Sequence, residues 1–326
     1  MIKKHVLIQD FLARIGRGVD LGGILGKFGI LFAYILLIIV ATILSPRFLS
    51  TGNLLNVIRQ ISIVGVLAIG QTLVILIAGI DLSVGAVLAL IVVLVGDALQ
   101  HYGVVPSILL GLLMGTFIGT VNGIGVAIGN LPPFVMTLGM LGIARGLAFV
   151  YTGGMPIPIV NPAFLYIGSG YFLGIPVPAI IFVVLVFIAA LILRYTVFGR
   201  FIYAIGSNQE AARLCGINVN INKIFVFGLC GLMSGIAAIL YGAELAVAPP
   251  IAGEGYELDA IAAVVVGGTS LMGGEGGIWG TFLGAAIIGS LSNILNLTGV
   301  SPYVQQLAKG ALIIAAVAIK ARGRKN

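Results

Sequence analysis

Gln71-Thr-Leu-Val-Ile-Leu-Ile-Ala-Gly79-Ile-Asp81-Leu-Ser83-Val-Gly85-Ala-Val-Leu88 is the stretch that decides how this chain is read. It opens as an apolar run suited to lipid, is interrupted by Gly79 and Gly85 around an ionisable Asp81, then turns apolar again. Each glycine weakens a helix interior by roughly 1 kcal/mol relative to alanine. A carboxylate at the centre of a membrane helix costs about 2.5–3.5 kcal/mol even on the mildest insertion scale. A segment that only had to cross a bilayer needs neither, so the interruption reads as a built feature.

The composition around it agrees. Of 326 residues, 60% are hydrophobic and 8% charged, with a mean hydropathy of +1.21; soluble domains average about 25% charged. The fold class expected is all-α, a polytopic membrane helix bundle of about ten transmembrane helices with broken or re-entrant segments. The 48 glycines and 12 prolines fit close helix packing and irregular backbone lining a cavity. The net charge of +7 sits at the ends of apolar runs and is not interleaved with aromatics, which favours membrane orientation over nucleic acid. Cys215 and Cys230 form no disulfide framework and have no metal-ligand spacing with His5 or His101, so no metal site is expected. The first apolar run follows a long basic leader with no cleavage site after it, and is read as a retained helix.

Runs long enough to cross a bilayer, at about 1.5 Å per residue, fall near 28–44, 61–79, 84–100, 106–128, 134–151, 177–194, 223–245, 257–268, 278–296 and 303–319. The eighth is too short to span alone and must extend into its flanks or be re-entrant. An even count puts both termini on one side. Lys3, Lys4, Arg14, Arg17 and Lys27 of the leader, Arg194, Arg200, Arg213 and Lys223 of a central loop, and Lys320, Arg322, Arg324 and Lys325 of the tail then share that side, which is cytoplasmic. The resulting division is a basic N-terminal segment 1–27, a transmembrane domain 28–320 with a cytoplasmic loop 195–222, and a basic tail 321–326. The opposite loop, 152–176, carries no charge and is rich in proline and aromatics, suiting either an interfacial belt or the docking of an extracytoplasmic partner. Near the other end, Val264-Val-Val-Gly-Gly-Thr-Ser-Leu-Met-Gly-Gly274 echoes the opening stretch, with Gly268 laid on Gly79, Leu271 on Leu82 and Gly274 on Gly85. Paired interruptions of this kind mark internally repeated transporters, although chance in a chain rich in Gly and Val gives short matches too.

Asp81 and Ser83 are both favoured N-cap types and would start the third span; a helix N-terminus aimed into a cavity is also a polar binding element. Gln71, Asn122 and Asn130 suit interhelical hydrogen bonding or a polyhydroxylated solute alike. Asn130-Leu-Pro-Pro-Phe134 breaks the chain between spans four and five. Arg145 and Lys309 lie within spans and are expected to face the interior, pair or snorkel. Glu244, Glu254, Glu257 and Asp259 read as an acidic outer loop, either solvated or used for docking. In the central loop, Ser207-Asn208 signals a helix start, Glu210 sits in the first turn, and Gly216 stops a helix of two to three turns.

Glu210-Ala211-Ala212-x-x-x-Gly216 resembles the EAA loop of ATP-binding-cassette importer permeases. Gln71-Thr-Leu-Val-Ile with Gly79-Ile-Asp-Leu-Ser-Val-Gly85, Ala144-Arg-Gly, Tyr151-Thr-Gly-Gly and Val266-Gly-Gly-Thr-Ser-Leu-Met-Gly-Gly274 are similar to the ribose-type sugar permeases of that superfamily, from about Leu44 to the end. The Leu-Pro pair of the full EAA pattern is absent after Phe225.

That resemblance implies the inner-membrane subunit of a prokaryotic importer for a pentose, hexose or related polyol. Glu210, Ala211, Ala212 and Gly216 would couple it to a cytoplasmic ATPase. Gln71, Gly79, Asp81, Ser83, Gly85, Asn122, Asn130 and Phe134 are pathway or scaffold candidates. Its partners would be that ATPase, an extracytoplasmic sugar-binding protein, a second permease subunit and membrane lipid, and the chain would bind no cofactor, ATP and Mg being the partner's. No Gly-x-x-x-x-Gly-Lys-Ser/Thr loop occurs, Gly26-Lys27 being followed by Phe28, so no ATP hydrolysis is expected here. The alternatives are a branched-chain amino acid or nucleoside permease and an ion-coupled secondary transporter. A membrane enzyme lacks a converging acid/base cluster.

Overall fold

A computed structural model describes residues 21–323; segments 1–20 and 324–326, which hold most of the basic leader and half of the tail, lie outside the described residues. The described chain is helical throughout, with two short ribbons. Helices α1 (Leu21–Leu44), α2 (Thr51–Leu76), α3 (Val84–His101), α4 (Val104–Ala127) and α5 (Pro133–Thr152) come first. Strand β1 (Ile157–Pro158), α6 (Pro162–Ser169), β2 (Tyr171–Phe172) and β3 (Ile175–Pro176) follow. Then come α7 (Val177–Tyr195), α8 (Val197–Ser207), α9 (Gln209–Leu214), α10 (Val219–Leu245), β4 (Val247–Ala248), α11 (Tyr256–Val266), α12 (Ile278–Leu297) and α13 (Pro302–Gly323). Seven of them, α2, α3, α4, α5, α7, α10 and α12, are long and apolar enough to cross a membrane.

β1 pairs antiparallel with β4, which places the 152–176 loop beside the C-terminal end of α10. This is the ribbon end of the bundle. At the opposite end, the elbow, α8 meets the C-terminal end of α2, where Gly274 N–H donates to Leu76 O at 3.0 Å, and α9 follows α8. The buried centre is built from α2, α3 and α10, whereas α4, α5 and α7 turn Leu113, Phe117, Val150 and Phe187 outward.

Two expectations need correction, the start of the second span and the acidic loop, while the short eighth run is found as expected. The span placed at 61–79 is α2, which begins at Thr51 and stops at Leu76. Its polar first turn is tied to the bundle through Asn53, which exchanges two amide hydrogen bonds of 2.9 Å with Asn293 of α12. The eighth run is an 11-residue helix, α11. The chain reaches it through an irregular segment that descends along α3: Ala248 touches Gly96, and Gly253 touches Gly85. The acidic loop is not uniformly solvated: Asp259 is buried and paired with Lys309 at 2.8 Å.

The most extensive helix contact is between α4 and α10. Gly111, Gly115, Gly119 and Gly123 recur every fourth residue on α4, facing Gly235, Gly231, Phe227 and Ile224 of α10. A methyl group at Gly115 would strike Gly231 O, and one at Gly231 would strike Gly115 O. Lipid supplies no hydrophobic drive between helices, so backbone proximity and dispersion must hold them together. Gly115→Val should therefore lower the melting temperature of the detergent-solubilised protein sharply, overpacking costing about 1–3 kcal/mol or more. Gly139→Ala, at a site with open space around it, should leave the transition where it is.

Candidate functional site

Helix α2 ends because Ala78 turns left-handed, at φ 60°. Ala78 N–H then donates to Ile75 O and Gly79 N–H to Val74 O, both at 2.9 Å, which satisfies the orphan carbonyls of the last turn. α11 ends in the same way: Gly268, at φ 87°, donates to Val265 O and Thr269 N–H to Val264 O. The two stops match with Gly268 on Ala78, one residue out of the register expected from sequence. They also touch, since Gly273 packs against Ala78 N and Gly206 O.

After its turn the chain runs back beside α2, non-helical, to Ser83. Gln71 lies five residues before the end of α2, about 7 Å inside it at 1.5 Å per residue. Its amide, with nitrogen toward Asp81 O at 3.1 Å and oxygen toward Asp81 N–H at 3.2 Å, pairs with that backbone as a neighbouring strand would. On the other side, Thr137 Oγ1 of α5 accepts from Leu82 N–H at 3.1 Å. The interrupted backbone is thus satisfied from two helices.

The Asp81 side chain points inward, 2% exposed. Its Oδ1 accepts from Ser83 N–H at 2.8 Å and from Ser83 Oγ at 2.6 Å. Asn122 Nδ2 of α4 in turn donates to Ser83 Oγ at 3.0 Å. Asn122 Oδ1 is buried with no hydrogen-bond partner among the described residues. The capping expected of these residues takes another form: Ser83 is the residue before α3 but makes no side-chain cap, its hydroxyl being spent on Asp81.

Gln71, Asp81, Ser83 and Asn122 therefore meet in one cluster, flanked by Gly79 and Gly85. A side chain at Gly85 would strike Gly253 O and Glu257 Oε2 of the descending segment. Asn130 and Phe134 lie apart. Asn130 forms an exposed left-handed turn at φ 52°, its Nδ2 donating to Ile128 O, and Phe134 is exposed on the first turn of α5. Thr137 was not singled out from sequence, and nothing in its apolar surroundings marks it. Arg145 was, but not for what it holds: its Nη1 donates to Pro250 O at 2.9 Å and Ala252 O at 2.8 Å, fixing the descending segment.

At the elbow, α9 has six residues, shorter than the helix expected over 207–216, because Ser207 closes α8. Asn208 caps it, Oδ1 accepting from Ala211 N–H at 2.9 Å. Gly216, at φ 82°, completes its C-terminal stop with Ile217 N–H bonded to Ala212 O. Glu210 is exposed and pairs with Arg213 at 3.0 Å, while Ala212 is buried. Helix α8, unassigned from sequence, buries Gly199, Ile202 and Ile205.

Removing the Asp81 carboxylate should leave both Ser83 donors unpaired, at about 1–3 kcal/mol. Asp81→Ala should melt well below the parent protein and Asp81→Asn, which keeps one acceptor, in between. Equal melting of all three would contradict the role given to this carboxylate.

A sequence-family profile described as branched-chain amino acid transport system / permease component matches residues 53–317. The ribose import permease of Haemophilus influenzae is 47% identical over 87% of this chain and 90% of its own length. That of Bacillus subtilis is 47% identical over 90% of this chain and 92% of its own. The D-allose transport system permease of Escherichia coli is 37% identical over 90% and 91%. No solved structure matches. With an interrupted-helix bundle along the whole matched region, the chain belongs to this family of multi-pass membrane permease components, alongside the ribose import permeases.

Proposed function

We propose that this chain is the translocating subunit of an ATP-binding-cassette importer for a neutral monosaccharide of the ribose, allose or fructose type. The near full-length identity to import permeases for ribose and allose supports the substrate class. A fructose import permease from Rhizobium meliloti, 39% identical over 87% of this chain, extends it to a ketohexose. Counting α1, α13 and the two interrupted crossings with the six other long helices gives ten passes. The elbow and both termini (segments 1–27 and 321–326) are then cytoplasmic, which the basic residues favour. The ribbon end faces outward, toward a binding protein, and a second permease subunit completes the pathway.

The observation that carries the mechanism is the seat of α8. A side chain at Gly206 would strike Leu76 O and Gly274 N, the two atoms that join one helix stop to the other. Tyr203 Oη donates to Gly276 O at 2.9 Å. Helix α8 leads through an extended Asn208 into α9, where Glu210, Ala211 and Gly216 offer the surface for the ATPase and the buried Ala212 seats α9 on the bundle. Closure of the nucleotide-loaded ATPase dimer against α9 displaces α8, and α8 bears on both interruptions together. Such coupling requires that the inward- and outward-open states bind nucleotide differently. ATP and Mg are bound on the partner.

Glu210→Lys reverses the charge of an exposed side chain and should leave the fold intact. It should weaken co-purification with the ATPase and reduce ATP-driven uptake of radiolabelled D-ribose about tenfold or more. Gly206→Val should instead keep the ATPase bound and hydrolysing while uptake is lost. Wild-type uptake in both variants would refute the coupling route.

A further inference from the structure

Away from Asp81, α2, α10, α11, α12 and α13 enclose a second polar site. It is a cavity of about 300 Å³ lined by Tyr241 and Glu244 of α10, Tyr256 and Asp259 of α11, and Gln305 and Lys309 of α13. It lies where the descending segment ends and α11 begins, at the second interrupted crossing. Asp259 and Lys309 pair at 2.8 Å with side chains 11% and 19% exposed. The rings of Tyr241 and Tyr256 meet edge to face, centroids 6.1 Å apart. Gln305 is held by its own amide nitrogen, which donates to Asn296 Oδ1 at 2.7 Å and Val300 O at 3.0 Å.

Structure alone gives little reason for this set. An apolar pair would join α11 to α13 as well as a buried ion pair does, since desolvation consumes most of the Coulombic gain. Ionisable groups inside a bundle instead mark the paths of solutes, and interrupted helices place such sites near the midplane. The cavity sits at the lower end of the sizes that hold small ligands. Carboxylate, amide and phenol groups accept from and donate to neighbouring hydroxyls, and an aromatic ring covers the apolar C–H face of a pyranose or furanose. Two carboxylates against one ammonium repel an anion, so phosphorylated sugars are disfavoured.

We propose that this cavity is a resting site for a neutral monosaccharide in transit, with Glu244 and Tyr256 binding its hydroxyls beside the Asp259–Lys309 pair. The assignment rests on the importer reading above and adds to it a place where the permease itself selects among sugars.

The test uses vesicles containing the complete transporter, this chain with its ATPase and binding protein, and follows ATP-driven uptake of radiolabelled D-ribose, D-allose and D-fructose. Glu244→Gln and Tyr256→Phe should each lower the maximal rate for a transported sugar about tenfold and change the ratio between sugars. Assembly and ATP hydrolysis should stay near those of the parent, as should every readout of Gly139→Ala, at a site with open space around it. Tyr256→Phe removes a single oxygen, so it reads the site even where Glu244→Gln fails to assemble. Parental rates and ratios in Tyr256→Phe, with uptake otherwise intact, overturn the cavity assignment and leave the importer standing. Absence of uptake of all three sugars by the parent overturns the sugar reading itself, and the cavity assignment falls with it.

Discussion

A backbone that leaves the helix inside a bilayer must find partners for its peptide groups within the protein, because lipid offers none. The chain does this at least twice, and much of the bundle serves that requirement. The 77–83 segment borrows a side-chain amide from Gln71 and a hydroxyl from Thr137. The descending 249–253 segment borrows the Arg145 guanidinium. Thr137 and Arg145 both belong to α5, so the interruptions are completed only in the assembled bundle. Asp81 turns its side chain to the same end, gathering the Ser83 N–H and hydroxyl at the point where α3 begins.

Holding those neighbours close enough requires shape. The glycine rows on α4 and α10 bring backbone against backbone, which also sets Asn122 of α4 opposite Ser83. Across α2 and α12, Thr72 and Thr281 meet hydroxyl to hydroxyl at 2.7 Å. Such contacts are short and polar or short and bare. Large apolar side chains face outward as freely as inward, since lipid and protein interior solvate them about equally.

That symmetry explains what was legible in the sequence. The Asp81 interruption was readable because a carboxylate flanked by glycines has no use in a plain span, and Gln71, Ser83 and Asn122 join it in space. The start of α2 was not, because Asn53, Asn56, Arg59 and Gln60 look like a loop until Asn293 is set opposite Asn53. Asp259 and Lys309 were each noticed but not paired; they lie fifty residues apart, and the acidic run around Asp259 resembled solvent-facing sequence. The spacing of Gly111, Gly115, Gly119 and Gly123 was visible yet gave no partner. Which face of an apolar helix meets protein cannot be read from polarity when both sides are oil-like, so α8 and the inward placement of α3 emerge only from the fold.

The two helix stops have the same hydrogen-bond pattern but different chemistry. At α11 the left-handed residue is Gly268, which adopts φ 87° without cost. At α2 it is Ala78, for which the left-handed region costs about 1–2 kcal/mol. The strained stop is the one that carries Asp81, lies against Gly273, and receives the end of α8 through Leu76 O. A residue held in a costly conformation by surrounding contacts returns that energy when the contacts shift. Gly206 of α8 lies against both stops, Leu76 O on the strained side and Gly274 N on the relaxed one, so the contacts that hold Ala78 in place include those of α8.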